Sequence, residues 1–135
     1  MDFIRCGLFG WCMEVLWTGM ASVKNRDAKC MGNTSLPMFP IYGMASFFRP
    51  LSRKLEGRPV FLRGTVYAAC IFTVEYVSGK FLKKHDMCPW DYTGSRCNIE
   101  GLVRLDYAPC WFSLGLMYEK MLQNSYYSRK SRESR

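Results

Sequence analysis

The chain contains four apolar segments of roughly the length that a membrane-spanning helix needs, about 20 residues, and every one of them carries polar residues. They cover residues 6–23, 31–48, 59–79 and 101–122. Their charged residues include Glu14 in the first, Arg63 and Glu75 in the third, and Arg104, Asp106 and Glu119 in the fourth. The length of these segments predicts an all-α chain. It leaves open whether the helices lie in lipid or in water.

The spacing of small residues favours lipid. At helical spacing each glutamate shares a face with glycine or alanine: Glu14 with Gly7, Gly10 and Ala21, Glu75 with Gly64, Ala68 and Gly79, and Glu119 with Ala108 and Gly115. Membrane helices approach one another through small residues, and their ionisable groups face a bundle interior because lipid cannot solvate them. We therefore expect the three carboxylates to converge on one interior. The alternative is a soluble helical bundle with these glutamates at its surface.

The second segment is predicted to be broken by proline. Residues 32–37 have the composition of a turn, and Pro37 and Pro40 each remove a backbone donor. Irregular backbone at membrane depth survives only where protein or a water-filled cavity covers it. We expect a re-entrant or interfacial entry, followed by a short helix over about residues 41–51.

An aromatic stretch precedes the fourth segment. Trp90, Asp91 and Tyr92 are followed by Asn98 to Gly101, next to the apolar run that begins at Tyr107. Amphipathic rings settle at the headgroup level of a bilayer. The stretch therefore indicates a membrane interface.

The formal net charge of +8 indicates contact with an anionic surface. Two basic clusters lie beside apolar segments: residues 49–63 hold Arg49, Arg53, Lys54, Arg58 and Arg63, and the end of the chain holds Lys120, Arg129, Lys130, Arg132 and Arg135. Such clusters favour anionic lipid headgroups, whereas the aromatic interleaving expected of a nucleic-acid surface is missing from the basic tail apart from Tyr126 and Tyr127. The distribution predicts a helical membrane domain over residues 1–123, a basic polar tail over 124–135, and both termini in the cytoplasm.

The sequence gives no sign of a cofactor. The seven cysteines form no CxxC pair and His85 is the single histidine, so no metal site is expected. The chain has no phosphate-binding loop of the GxxxxGK[ST] type and no nucleophile motif. Catalysis is therefore the less favoured interpretation.

Several motifs occur in an order that resembles a known family. They are residues 9–14 (FGWCME), Gly32 with Pro37, residues 40–43 (PIYG), residues 75–79 (EYVSG), residues 90–92 (WDY), residues 98–101 (NIEG), and Trp111-Phe112 before Gly115 and Glu119. The chain resembles the bacterial family labelled putative ABC-transporter type IV, or CmpB-like, which is similar to the animal transmembrane protein 229 family. This resemblance implies a small multi-pass protein of the cell membrane with a transport label and no defined substrate.

Together these features predict a small polytopic helical membrane bundle of about four short spans, with a polar, carboxylate-lined interior and a transporter-like function. The predicted site residues are Glu14, Tyr42, Glu75, Tyr76, Trp90, Asp91, Tyr92, Asn98, Arg104, Asp106 and Glu119. So short a chain would need a homo-oligomer or a partner subunit for transport. The alternatives are a membrane-embedded enzyme acting on a lipid or other amphiphile, and a structural or regulatory membrane subunit.

Overall fold

The protein is mostly helical, as expected for an all-α chain. The computed structural model describes residues 1–26 and 28–133, and of Arg129, Arg132 and Glu133 it describes the backbone alone. Arg135 and the side chains of Arg129 and Arg132, which the sequence places in the basic tail, therefore lie outside the described residues.

The helices occupy most of the described chain. In order, the elements are α1 (Asp2–Lys24), α2 (Met38–Gly43), a short 3-10 helix (Met44–Phe47), α3 (Phe48–Lys54), α4 (Val60–Lys84), β1 (Asn98–Ile99), β2 (Val103–Arg104), a second 3-10 helix (Leu105–Tyr107) and α5 (Ala108–Glu133). They form two compact units, an N-terminal unit over Met1–Ser46 and a C-terminal unit that begins at Phe47. Each unit is described below by itself.

In the N-terminal unit, α2 packs on α1 through two glycines. A Cβ atom at Gly7 would lie 2.8 Å from the ring of Phe39, and one at Gly43 would lie 2.5 Å from the ring of Phe3. The ring of Trp11 meets Phe39 edge-on, with the centroids 4.9 Å apart. The small residues thus let aromatic side chains of one helix sit against the backbone of the other.

The segment before α2 is irregular, as the turn-forming residues predict, and it lies along α1. The amide of Asn33 donates to the hydroxyl of Thr18 at 2.7 Å, and the hydroxyl of Ser22 donates to the carbonyl of Met31 at 3.0 Å. The α-helix begins at Met38, three residues earlier than expected, with Pro40 in its first turn, and it ends at Gly43, so the expected helix over about residues 41–51 is divided among α2, a 3-10 helix and α3. Proline is tolerated there because first-turn amides have no partner within the helix.

In the C-terminal unit, α4 and α5 are in close contact at two glycines. A Cβ atom at Gly115 would overlap the Cβ of Tyr67, and one at Gly64 would overlap the ring of Phe112. Phe48 of α3 joins this core, with its ring centroid 5.3 Å from that of Tyr67. Two of the small residues that the sequence assigns to helix faces therefore do form a helix contact.

A small antiparallel hairpin of β1 and β2 precedes α5, with Asn98 opposite Arg104. Glu100 and Gly101 have φ angles of 52° and 70°, the left-handed conformation that a tight hairpin turn requires. Leu102 is 2 % exposed and packs against Gly79 of α4, where a Cβ atom would lie 3.2 Å from it. The hairpin therefore closes over the last turns of α4.

The last helix differs from the sequence expectation at both ends. The apolar pattern suggests a segment over residues 101–122, whereas α5 begins at Ala108, after the hairpin, and continues to Glu133. Of the helices in the described part of the chain, α4 alone is long and apolar enough to cross a membrane, with a mean hydropathy of 1.4 over its best 18-residue window. Four complete spans remain a prediction.

Candidate functional site

Glu75 lies in the middle of α4 and is 9 % exposed. The indole of Trp111 on α5 donates a hydrogen bond to its Oε2 at 3.3 Å, and Tyr92 forms a second side-chain hydrogen bond with the same carboxylate. Both partners are held by elements that pack on α4. The carboxylate is therefore fixed at the contact between α4, α5 and the loop that precedes the hairpin.

Aromatic rings connect Glu75 to the surface. Tyr107 lies between Tyr92 and Trp111, at centroid distances of 5.8 Å and 6.0 Å and nearly perpendicular to both. All three rings are partly exposed. The guanidinium of Arg104 lies 4.6 Å from the centroid of Tyr107. A continuous set of aromatic and polar contacts thus leads from Arg104 to the buried carboxylate; we call these five residues the Glu75 cluster.

The surface end of the Glu75 cluster is an ion pair. Arg104 donates to Asp106 through Nε at 2.8 Å and Nη2 at 2.7 Å, a bidentate geometry. Hydrogen bonds from Arg104 lower the pKa of Asp106, and the same contact raises the pKa of Arg104. Asp106 is exposed, so the pair orients the arginine rather than contributing to the core.

Glu119 has different partners. Its carboxylate is 2 % exposed, accepts a hydrogen bond from the hydroxyl of Tyr67 at 2.9 Å, and pairs with Nη1 of Arg63 at 3.1 Å. Tyr67 and Glu75 are eight residues apart on α4, about 12 Å along the helix. Glu75 and Glu119 thus occupy the same helix pair with separate sets of partners.

Glu14 belongs to the N-terminal unit. It accepts a hydrogen bond from the hydroxyl of Thr34 at 2.5 Å and has a second side-chain hydrogen bond with Tyr42. Two predicted site residues, Glu14 and Tyr42, are therefore in contact. Convergence of Glu14 with Glu75 and Glu119 stays a prediction, because the two units are described separately.

Four other predicted residues hold the hairpin loop. Trp90 donates to the carbonyl of Leu102 at 3.0 Å, and the exposed carboxylate of Asp91 accepts from the amide of Thr93 at 3.0 Å, a contact that lowers the pKa of Asp91. The side-chain oxygen of Asn98 accepts from the amide of Gly101 at 2.9 Å.

Tyr76 is the fourth of these residues and turns away from Glu75. Its hydroxyl donates to Glu100 at 3.1 Å, so it ties α4 to the hairpin turn.

Trp111 and Tyr107 of the Glu75 cluster were not among the predicted site residues, and neither were Tyr67 and Arg63. The spacing of Tyr107 and Trp111, four residues apart in a helical segment, was the available signal that both rings share a face. Nothing in the sequence indicated that Tyr67 would meet Glu119. Within residues 1–26 and 28–133, no group of three His, Cys, Asp or Glu side chains is placed to hold a metal ion.

A family model described as "Putative ABC-transporter type IV" matches residues 1–133. The chain belongs to this family. The family resemblance that the ordered motifs indicate is thereby confirmed, and the match extends over both units of the chain. No solved structure matches the chain.

The Glu75 cluster can, by its chemistry, bind a proton or a cation. A carboxylate that keeps lone pairs beyond its bonds to Trp111 and Tyr92 is an acceptor, and the faces of neighbouring aromatic rings attract positive charge. The chain thus has one buried carboxylate on α4, Glu75, that accepts hydrogen bonds from neutral donors, and one on α5, Glu119, that is paired with Arg63.

Proposed function

We propose that the chain is a multi-pass component of the cell membrane that takes part in transport, with Glu75 as the proton- or cation-binding group. The observation that carries this proposal is the position of Glu75 on α4. Only 22 % of the most apolar window of this helix is buried inside the protein. A core helix of a soluble domain is mostly buried, so the exposed apolar surface of α4 favours lipid as its surroundings.

The charge pattern of α4 supports the same conclusion. Between Arg63 and Lys80 the helix has one ionisable acid or base other than Tyr and Cys side chains, namely Glu75. A charged side chain in a bilayer is costly, and those that persist face protein or a wet cavity. The bonds from Trp111 and Tyr92 turn the Glu75 carboxylate toward α5 and the hairpin.

The remaining helices complete the proposal. We place α1, the proline-broken second segment and the first part of α5 in the membrane as well as α4, an even number of spans, with Glu14 as a second interior carboxylate and both termini in the cytoplasm. Because Glu119 forms an ion pair with Arg63, a structural role is favoured for Glu119. Because the chain is short for an independent transporter, the active form is a homo-oligomer or a complex with a partner subunit.

Membrane insertion is tested first. The full-length chain, expressed in cells, should stay in the pellet after alkaline carbonate extraction. The chain has seven cysteines, so a series of variants that each keep one of them, labelled with an impermeant maleimide, reports which segments are accessible from each side. Release of the chain by carbonate would rule out the proposal.

The role of Glu75 is tested by flux. The protein is reconstituted into liposomes that contain a pH-sensitive dye or a cation indicator, and Glu75→Gln is compared with Glu100→Gln. The two variants have the same charge change, but Glu100 is an exposed residue of the hairpin turn. We expect Glu75→Gln and Glu14→Gln to fold and lose flux, and Glu100→Gln to retain it. Equal flux in Glu75→Gln and the parent would remove Glu75 from the site.

A further inference from the structure

A basic cavity lies between α3 and α5, away from the Glu75 cluster. Its volume is about 300 Å³, and its walls come from Arg49, Arg53, Glu56, Leu122, Gln123, Tyr126 and Tyr127. We call it the arginine cavity. Leu122 is buried at its base, whereas Arg53, Tyr126 and Tyr127 are exposed at its rim.

Two guanidinium groups converge on one ring in this cavity. The Cζ atom of Arg49 lies 5.9 Å from the centroid of Tyr126, and that of Arg53 lies 4.8 Å from it. The two arginines are four residues apart on α3, so they share a helix face. Like charges at this spacing repel, and a bound anion relieves the repulsion. Arginine donors are arranged in a planar fork that suits phosphate oxygens.

The position of the arginine cavity indicates where its ligand comes from. Glu56 is four residues before Val60, the first residue of α4, so the cavity is at most about 14 Å from the start of the candidate span. The first residues of that helix expose apolar side chains, with Phe61 78 % and Val60 53 % exposed. The cavity therefore combines cations with a nearby apolar surface, and tyrosine rings of the kind found at a bilayer interface.

We propose that the arginine cavity binds the phosphate of an anionic phospholipid headgroup, with the acyl chains lying along the exposed start of α4. This inference rests on the membrane location given under the proposed function. Arg49 and Arg53 hold the phosphate oxygens, Gln123 and the tyrosine hydroxyls are further donors, and Leu122 contacts the glycerol backbone. Glu56 opposes anion binding, since its carboxylate lines the cavity.

The test uses the full-length chain in nonionic detergent, with phosphatidylglycerol or phosphatidylcholine added in mixed micelles. Binding is measured as the lipid-dependent rise in the unfolding midpoint. Arg53→Gln is paired with Arg58→Gln, which makes the same charge change at an exposed residue outside the cavity. We expect phosphatidylglycerol, and not phosphatidylcholine, to stabilise the parent. The affinity for phosphatidylglycerol should fall about tenfold in Arg53→Gln and about twofold or less in Arg58→Gln, and it should rise in Glu56→Gln.

Each opposing result overturns the inference in a different way. Equal losses in Arg53→Gln and Arg58→Gln would mean that net charge, not the cavity, attracts the lipid. Stabilisation by inorganic phosphate at the concentration that phosphatidylglycerol requires would identify a site for the free anion. A chain that carbonate extraction releases contradicts the proposed function itself, whereas an integral chain without headgroup preference contradicts the lipid site alone.

Discussion

Removing either partner of the ion pair between Arg63 and Glu119 should destabilise the C-terminal unit. The two side chains are 21 % and 3 % exposed, and Nη1 of Arg63 lies 3.1 Å from Oε2 of Glu119. Removing one member of a buried pair leaves an uncompensated charge, which costs about 3–5 kcal/mol where burial is complete. Arg63 keeps part of its surface exposed, so we expect Arg63→Gln and Glu119→Gln each to lower the free energy of unfolding by about 2–4 kcal/mol.

The double variant shows whether the loss comes from the pair. Glutamine at position 119 still offers an oxygen to the hydroxyl of Tyr67, which donates to the glutamate at 2.9 Å. In Arg63→Gln/Glu119→Gln no charge is left without its partner, so the total loss should be smaller than the sum of the single losses by about 1–3 kcal/mol.

The assay is equilibrium unfolding of the purified full-length chain in detergent, followed by intrinsic fluorescence. Arg104→Gln, Asp106→Asn and their combination form the control, because this pair is also in direct contact but its side chains are 33 % and 45 % exposed. We expect no measurable coupling there. Additive effects of Arg63→Gln and Glu119→Gln would show that the two side chains do not interact, and the argument from burial would be refuted.

Three further results are expected. Gly115→Ala should lower the free energy of unfolding by about 1–3 kcal/mol, because its Cβ would overlap Tyr67, whereas Gly94→Ala, which has open space around it, should be neutral in the same unfolding assay. Trp111→Phe should reduce flux in reconstituted liposomes, since it removes the donor to Glu75 and keeps a ring; unchanged flux would contradict this. The chemical shift of the Thr93 amide proton, followed by NMR, should titrate with a midpoint below pH 3.8, because the hydrogen bond from this amide lowers the pKa of Asp91 from 3.8. The stability that this bond contributes is present above pH 3.8 and is lost as the pH falls through the lowered pKa. A midpoint above 3.8 would show that the bond is absent.

The helical character of the chain and the contact between glycine-bearing faces could be predicted from the sequence. Helical periodicity places Gly64 and Gly115 each on the same helix face as a glutamate, and both glycines do lie against the partner helix. The irregular stretch before α2 also followed from its glycine and prolines. These features depend on local chemistry, which a sequence states directly.

Partner choice was not predictable, because it depends on which residues the helix contact brings together. The sequence pattern assigns Arg63 no partner, yet it pairs with Glu119, 56 residues away along the chain. Asp91 and Asp106 look like interior acids beside an apolar run, but a nearby amide and a nearby arginine hold them at the surface. Each of these carboxylates accepts hydrogen bonds from a residue two positions away in the chain.

The distribution of charge on α4 connects these observations. Arg63 and Lys80 bracket 16 residues, about 24 Å of helix, somewhat less than the ~30 Å of a hydrocarbon core. Arginine and lysine side chains extend toward the headgroups and make up such a difference. In the proposed membrane location, Arg63 would lie at one interface, where Glu119 pairs with it, and Glu75 would lie within the hydrocarbon core. The two carboxylates of this helix pair differ in depth. Glu119 has a cation as its partner and Glu75 has two neutral donors, so under the proposed function Glu75 is the carboxylate of this pair that would bind a proton or cation.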